Sequence, residues 1–469
     1  MKTRLYVLAV AAGLGLAASF NTRVPACGLV VVQDSLESLA QEAISKDKTV
    51  SSVAITKLRA KGPEGLEALL KAHAETIHKR LSESGSFSIE KDQTDYWKQV
   101  KTALDAVSGQ CDAHASHLYW HTDFEKAKAA AKASGKPILS LRLLGKLDEE
   151  YSCANSRFFR TTLYANSEVS KYLRDHFILH WQSVRPVPRI TIDFGDGRKI
   201  ERTITGNSIH YVLDSNGDPV DALPGLYGPK AFLKGLAEAE KAAVACAGLT
   251  GDEKAEYLRQ YHRECQAAIS KEWNEDLARI GEGKVSFVKN DVVVWKNTTP
   301  TAQMAGKVAF SKMAVESPML KSLQPKGGAK GRPGRAELDD ETWAKIAALH
   351  AAEAKLDAAA QALILSKNPT AFEAAGLASA KKQVESPFIS ALRNLQRSIA
   401  EDTVRNEFLL HSQIHEWFAQ GAAPGDLRRL NTKVYAELFL TPESDPWLGL
   451  APANTFTGLE NDGLVQTSR

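Results

Sequence analysis

Charge of one sign is in short supply along this chain. Its 59 Lys and Arg residues face 56 Asp and Glu, a net charge of +3 over 469 residues. A nucleic-acid partner needs a concentrated basic face, so that class has no footing. Cysteine is scarce as well: there are five, and no two stand as CxxC. Reduction through a paired dithiol is therefore excluded. The chain has no G-x-S-x-G, no Walker sequence and no paired-carboxylate signature, and no cofactor is expected. After residue 20 no segment approaches the roughly 20 predominantly apolar residues that a membrane span needs.

What is present is the composition of a globular protein, 43% hydrophobic and 25% charged, at a length that predicts two to four domains. Lys2 and Arg4 precede an uncharged apolar stretch from Leu5 to Phe20, the layout of a secretory signal assigned to residues 1–26. An uncleaved anchor ranks second. Small residues for cleavage occur at Ala17-Ala18-Ser19 and at Val24-Pro25-Ala26. The second set leads into Cys27 and resembles a lipobox, although Pro25 is unusual there. Export, periplasmic or secreted, makes another exported protein the expected partner. Membrane association is expected only if Cys27 is lipidated or the signal stays uncleaved.

Cysteine use follows from export. Cys111, Cys153, Cys246 and Cys265 form an even set, and an oxidising compartment allows them two disulfides in three connectivities. Cys246 and Cys265 lie in adjoining helical segments and are candidates for a local staple, with four buried free thiols as the alternative.

Periodicity divides the chain. Residues 34–119 read as helical, with Val53, Ile55, Leu58, Leu66, Leu69 and Leu70 on apolar stripes broken at Gly62-Pro63. Residues 120–247 alternate helix and strand. Thr122 and Glu125 form a capping box, the helix EKAKAAAKAS stops at Gly135, and ILSLRLL and FILHWQSV read as strands. RITIDFGDGRKIERTIT is a hairpin about Gly195-Asp196-Gly197, SIHYVLDSNGDPVDAL a second, and Pro229 opens a closing helix. Residues 250–325 form a mixed connector containing the strand-like KVSFVKNDVVVW. A basic loop, KGGAKGRPGR, leads to a helical C-terminal domain at 336–469, its irregular tail strapped down by Trp447.

The pieces GKPILSLRLL, YSCANSRFF, NSEVSKYLRDHFILHWQSV and HYVLDSNGDPVDALPGLYGPKAFLKGL resemble the exported thioredoxin-like proteins over residues 120–240. The resemblance implies a thioredoxin-like α/β domain flanked by helical regions. It places Cys153 at a helix mouth, where free N–H groups and the helix dipole favour a thiolate. It makes Cys153 the nucleophile and Ser156 the resolving position, with Arg157 and Arg160 near the sulfur. Asn207 and Ser208 occupy the loop that shapes the substrate groove, and Arg157 borders it. The chain departs from the family at several points. Ser156 replaces the second cysteine, Tyr151 and Ser152 stand where tryptophan is usual, and Ser208 stands where relatives carry a cis-proline. The 189–205 hairpin replaces a crossover helix. Two functions stay open: a binding or scaffold protein that has lost dithiol chemistry, and a single-cysteine (CxxS) thiol–disulfide oxidoreductase or isomerase.

Other constellations are weaker. Cys111, His114, His117 and His121 drift round a helix and announce no metal site. His411 and His415 are four apart but lack the HExxH glutamate, and Leu410, Ile414 and Trp417 place them at the rim of a core-facing helix. Asp193 and Asp196 offer too few ligands for calcium. No metal is assigned. Intact-mass measurement of the mature N-terminus should show simple cleavage, and an acyl mass on Cys27 would overturn that expectation.

Overall fold

A computed structural model gives the fold, describing residues 35–82, 91–281, 338–367, 387–450 and 459. The signal, Cys27, the KVSFVKNDVVVW strand and the KGGAKGRPGR loop lie outside the described residues. The chain is about 60% helical with a small mixed sheet and a separate two-stranded ribbon. Among the described residues no helix is long and apolar enough to cross a membrane. The described helices and strands all belong to one compact unit, Leu36–Arg469.

Helices Leu36–Glu42, Lys48–Ala60, Pro63–Ala72, Ala74–Ser82 and Lys91–Ser108 surround a first core. Pro63 opens its helix without losing a bond, because the first N–H groups of a helix have no internal acceptor. Gly62 turns the chain before it at φ 68. Leu58, Leu66 and Leu69 are buried as the stripes predict, but Val53 is 49% exposed and Ala54 fills the packed position beside it. Helix Phe124–Ser134 starts one residue later than the capping box suggests. Its cap is Asp123, whose carboxylate accepts the Glu125 and Lys126 N–H groups, a stronger acceptor than the Thr122 hydroxyl. Gly135 closes it at φ 72.

The sheet contains β1 (Ile138–Leu144), β2 (Ile178–Arg185), β5 (Ser208–Leu213) and β6 (Pro219–Pro224) in the order β2-β1-β5-β6. β1 pairs parallel with β2 and antiparallel with β5, and β5 pairs antiparallel with β6. The intervening hairpin, β3 (Arg189–Asp193) with β4 (Lys199–Thr203), forms its own ribbon. A long crossover at that point is unnecessary, because β5 runs antiparallel to its neighbour β1. β1, β5 and β6 are buried at every residue, so both faces of the sheet are covered. Helix Pro229–Cys246 packs on β5 and β6. One hydrophobic core runs from Leu118 to Leu448, so residues 120–247 share it with helices Gly251–Arg279, Asp340–Leu349, Ala358–Lys367, Pro387–Arg405, Ser412–Ala419 and Leu427–Lys433.

Trp447 does not hold the tail; it is 43% exposed. The strap is Arg185 of β2, whose guanidinium donates to the Thr441 and Asp445 carbonyls at 2.9 and 3.0 Å. A tail without regular structure presents free carbonyls, and a five-donor fork can take several of them at once.

Gly65 is the tightest approach between the first helices: a Cβ there would stand 2.0 Å from the Leu58 carbonyl oxygen. Gly65→Ala should destabilise the protein by about 1–3 kcal/mol, read as a lower urea midpoint at unchanged slope.

Candidate functional site

The predicted thiol does sit where a helix begins. The Cys153 N–H donates back to the last carbonyl of β1, Leu144, at 3.2 Å, and Cys153 caps helix Ala154–Phe158. Its sulfur meets Ser208 rather than Ser156, with Sγ 3.0 Å from Oγ. Ser156 instead gives its hydroxyl proton to the Cys153 carbonyl at 2.9 Å, the nearest acceptor one turn back. Cys153 is 0% exposed.

The expected groove is closed. Gly206 lies so close to the helix opening that a Cβ there would be 3.1 Å from Ala154 Cβ and 3.2 Å from the Asn155 nitrogen. Asn207 and Ser208 are buried. The Tyr435 hydroxyl donates to the Asn207 carbonyl at 2.9 Å, and Asn207 Nδ2 donates to Thr441 Oγ1 at 2.9 Å. The C-terminal segment thus covers the loop that a substrate would meet. Arg157 donates to Thr203 Oγ1 on β4 at 2.9 Å. Arg160 is buried against Asp112 and Glu150, both at 3.5 Å, so its charge is committed to carboxylates.

Of the two outcomes left open for the cysteines, the structure has free thiols at Cys111, Cys153, Cys246 and Cys265, and the possible disulfides are not formed. Burial pushes the Cys111 and Cys265 thiols up to about 12 and raises Cys246, which keeps these three protonated at neutral pH. His114, His117 and His121 do not converge with Cys111. His117 Nε2–H donates to the His114 carbonyl, while His121 joins β2 through its backbone. Asp193 and Asp196 accept turn N–H groups and pair with Lys199 and Arg198, as a hairpin turn requires.

A second site was not anticipated from the sequence. Asp221 on β6 is buried inside the sheet's outer strand, beside a cavity of about 150 Å³. The helix Pro387–Arg405 continues as a π turn over Asn406–His411 and then as helix Ser412–Ala419. His411 and His415 are buried on this stretch and do not lie at a rim. Spacing of four residues along it puts Glu407, His411 and His415 on one side. His411 Nε2–H donates to Asp221 Oδ1 at 3.3 Å and its Nδ1–H to Glu407 Oε2 at 2.9 Å. Tyr261, from helix Gly251–Arg279, donates to the other oxygen, Asp221 Oδ2, at 2.6 Å.

Protonation follows from the partners. Both nitrogens of His411 face carboxylates. Burial opposes its charge, but Glu407 and Asp221 outweigh burial and raise it to about 10, so it is an imidazolium. Burial likewise opposes the Asp221 charge, and the His411 imidazolium beside it outweighs burial, holding the carboxyl far below its usual range. His262 Nε2 faces the Val220 carbonyl at 3.0 Å and must carry its proton there. Burial keeps His262 neutral, so its Nδ1 is an acceptor. His415 Nδ1 lies 2.7 Å from it and is therefore the donor. Burial, then the His411 charge, keep His415 neutral as well, which leaves its Nε2 with a lone pair.

The cavity wall adds Glu238, Glu272 and Glu353 to Asp221 and Glu407, against Lys234, His350 and His411. Tyr227 is buried on it, and its hydroxyl lies beside Glu407 without closing a hydrogen bond in good geometry. Sequence reasoning missed Asp221, His262, Tyr261 and Glu407. The available signal was the carboxylate in PVDALP, since an acid in a strand sealed on both faces needs a buried partner.

No family model, curated protein or solved structure matches the chain.

On the same wall His350 Nε2 meets Asp276 Oδ2 at 2.7 Å and its Nδ1 meets Glu353 Oε1 at 3.1 Å. The hydrogen bond to Glu353, with Asp276 behind it, raises His350 to about 9. A raised folded value contributes stability that is complete below the unfolded value of about 6.5 and is lost as pH climbs through about 9. Stability should fall by about 1–2 kcal/mol across that window, discounted for partial solvent access, and His350→Gln should flatten the fall in pH-dependent urea titrations.

Proposed function

We propose that this protein is an exported binding protein in which a thioredoxin-like α/β core serves as scaffold rather than as a redox centre. The sheet order β2-β1-β5-β6, with a cysteine at the helix mouth after β1 and a closing helix after β6, supports the thioredoxin-like part of this reading. The basic and apolar start of the sequence supports export. The partner is another exported protein.

One observation carries the choice of binding over catalysis: the Cys153 sulfur has no exposed surface and is held against Ser208. Thiol–disulfide exchange needs a thiolate that reaches a sulfur of the substrate. Here Gly206 closes on the helix mouth, and Tyr435 and Thr441 fix the adjoining loop. The single-cysteine enzyme would first have to lift that C-terminal segment away.

Iodoacetamide labelling of the folded full chain, read by peptide mass spectrometry, should leave Cys153 unmodified until denaturant is added. Insulin reduction and RNase reshuffling by the wild type should equal those of Cys153→Ala. Labelling of native Cys153 at the rate of a free thiol, with turnover lost in Cys153→Ala, would establish the enzyme instead.

A further inference from the structure

We propose that Asp221, His411 and His415 form a binding site for a divalent first-row transition ion of the zinc class, open on one side to the adjoining cavity. This inference is independent of what Cys153 does.

The geometry is that of a ligand set. One ligand atom from each of the three residues lies within 4.8 Å of the others. Asp221 Oδ1 lies 3.3 Å from His411 Nε2 and 3.9 Å from His415 Nδ1. Tetrahedral zinc with bonds of about 2.0–2.2 Å spaces its ligands by roughly 3.4 Å. Two imidazoles and one carboxylate suit zinc, iron, copper or nickel, whereas calcium and magnesium call for oxygen alone.

Asp221 and His411 are also held from behind, as metal ligands are. Glu407 accepts the Nδ1–H of His411, which turns Nε2 toward Asp221. The Tyr261 hydroxyl takes Asp221 Oδ2, while Oδ1 accepts the Ala222 N–H at 2.8 Å and keeps a second lone pair for the cluster. His415 Nδ1 donates to His262, which is anchored on the Val220 carbonyl, and binding through this nitrogen exchanges that hydrogen bond for the metal. The residues Asp221, His411 and His415 also line the cavity, which offers room for a fourth ligand.

In the metal-free protein a proton on His411 Nε2 occupies the place of the ion. Coordination sends that proton to solvent and moves the His415 proton from Nδ1 to Nε2, so that each histidine gives the metal one nitrogen lone pair.

The test uses the full chain, stripped with chelator and titrated with zinc alone by calorimetry. The expected result is one zinc per chain, with magnesium giving no heat. Cobalt substitution should give visible d–d bands without a sulfur-to-metal charge-transfer band, since no thiolate takes part. His415→Gln should weaken zinc at least 100-fold. Tyr261→Phe, which keeps the ring and the fold, should weaken it 10- to 100-fold. Circular dichroism checks that both variants are folded; if His415→Gln is not, Tyr261→Phe alone decides. Failure of the wild type to bind zinc stoichiometrically, a thiolate band with cobalt, or unchanged affinity in a folded variant would each overturn the site.

Discussion

A carboxylate sealed within a sheet must be answered from outside it, and the answer given to Asp221 organises the molecule. Its charge sits on the outer strand of a four-stranded sheet and is met by an imidazolium and a phenol from two later helices. Removing one partner of such a buried pair costs about 3–5 kcal/mol, because the survivor is left charged and dry. A loss of that size is a large share of ordinary net stability. The α/β core therefore cannot dispense with the helices that follow it, and the continuous hydrophobic core from Leu118 to Leu448 is the apolar side of the same bond.

Local physics made much of the fold readable from sequence. Periodicity found β1 at its observed bounds and β2 within one residue. Turn chemistry placed both hairpins, and glycine at positive φ marked the end of helix Phe124–Ser134. The sites depend on contacts between distant residues, and periodicity is silent about those. His411 was visible as half of an i, i+4 pair, yet its carboxylate partner lies 190 positions earlier and Tyr261 40 positions from that partner. Spacing likewise offered the cysteines as disulfide partners but carried no information on where the thiols end up. The departures at Ser156 and Ser208 were legible. That the two hydroxyls would divide the work, one taking the cysteine carbonyl and the other its sulfur, was not.

The buried polar centres at Cys153 and Asp221 have opposite characters. Around Cys153 the sulfur, Ser156 and Asn207 find neutral partners inside the protein and the approach is filled by Tyr435 and Thr441, leaving a corner suited to structure. Around Asp221 the groups are charged, mutually oriented and next to empty volume, which is the arrangement expected where something small is received.

Because Arg185 on β2 clasps carbonyls more than 250 positions downstream, the order of synthesis matters. A ribosome that has finished the strands has made a sheet whose second cover is still unwritten. Domains usually close one after another as they emerge. This one has to wait for its final helices, so a transcript cut short near residue 400 would yield a chain with a bare apolar slab and an acid lacking its imidazolium, a natural client for degradation.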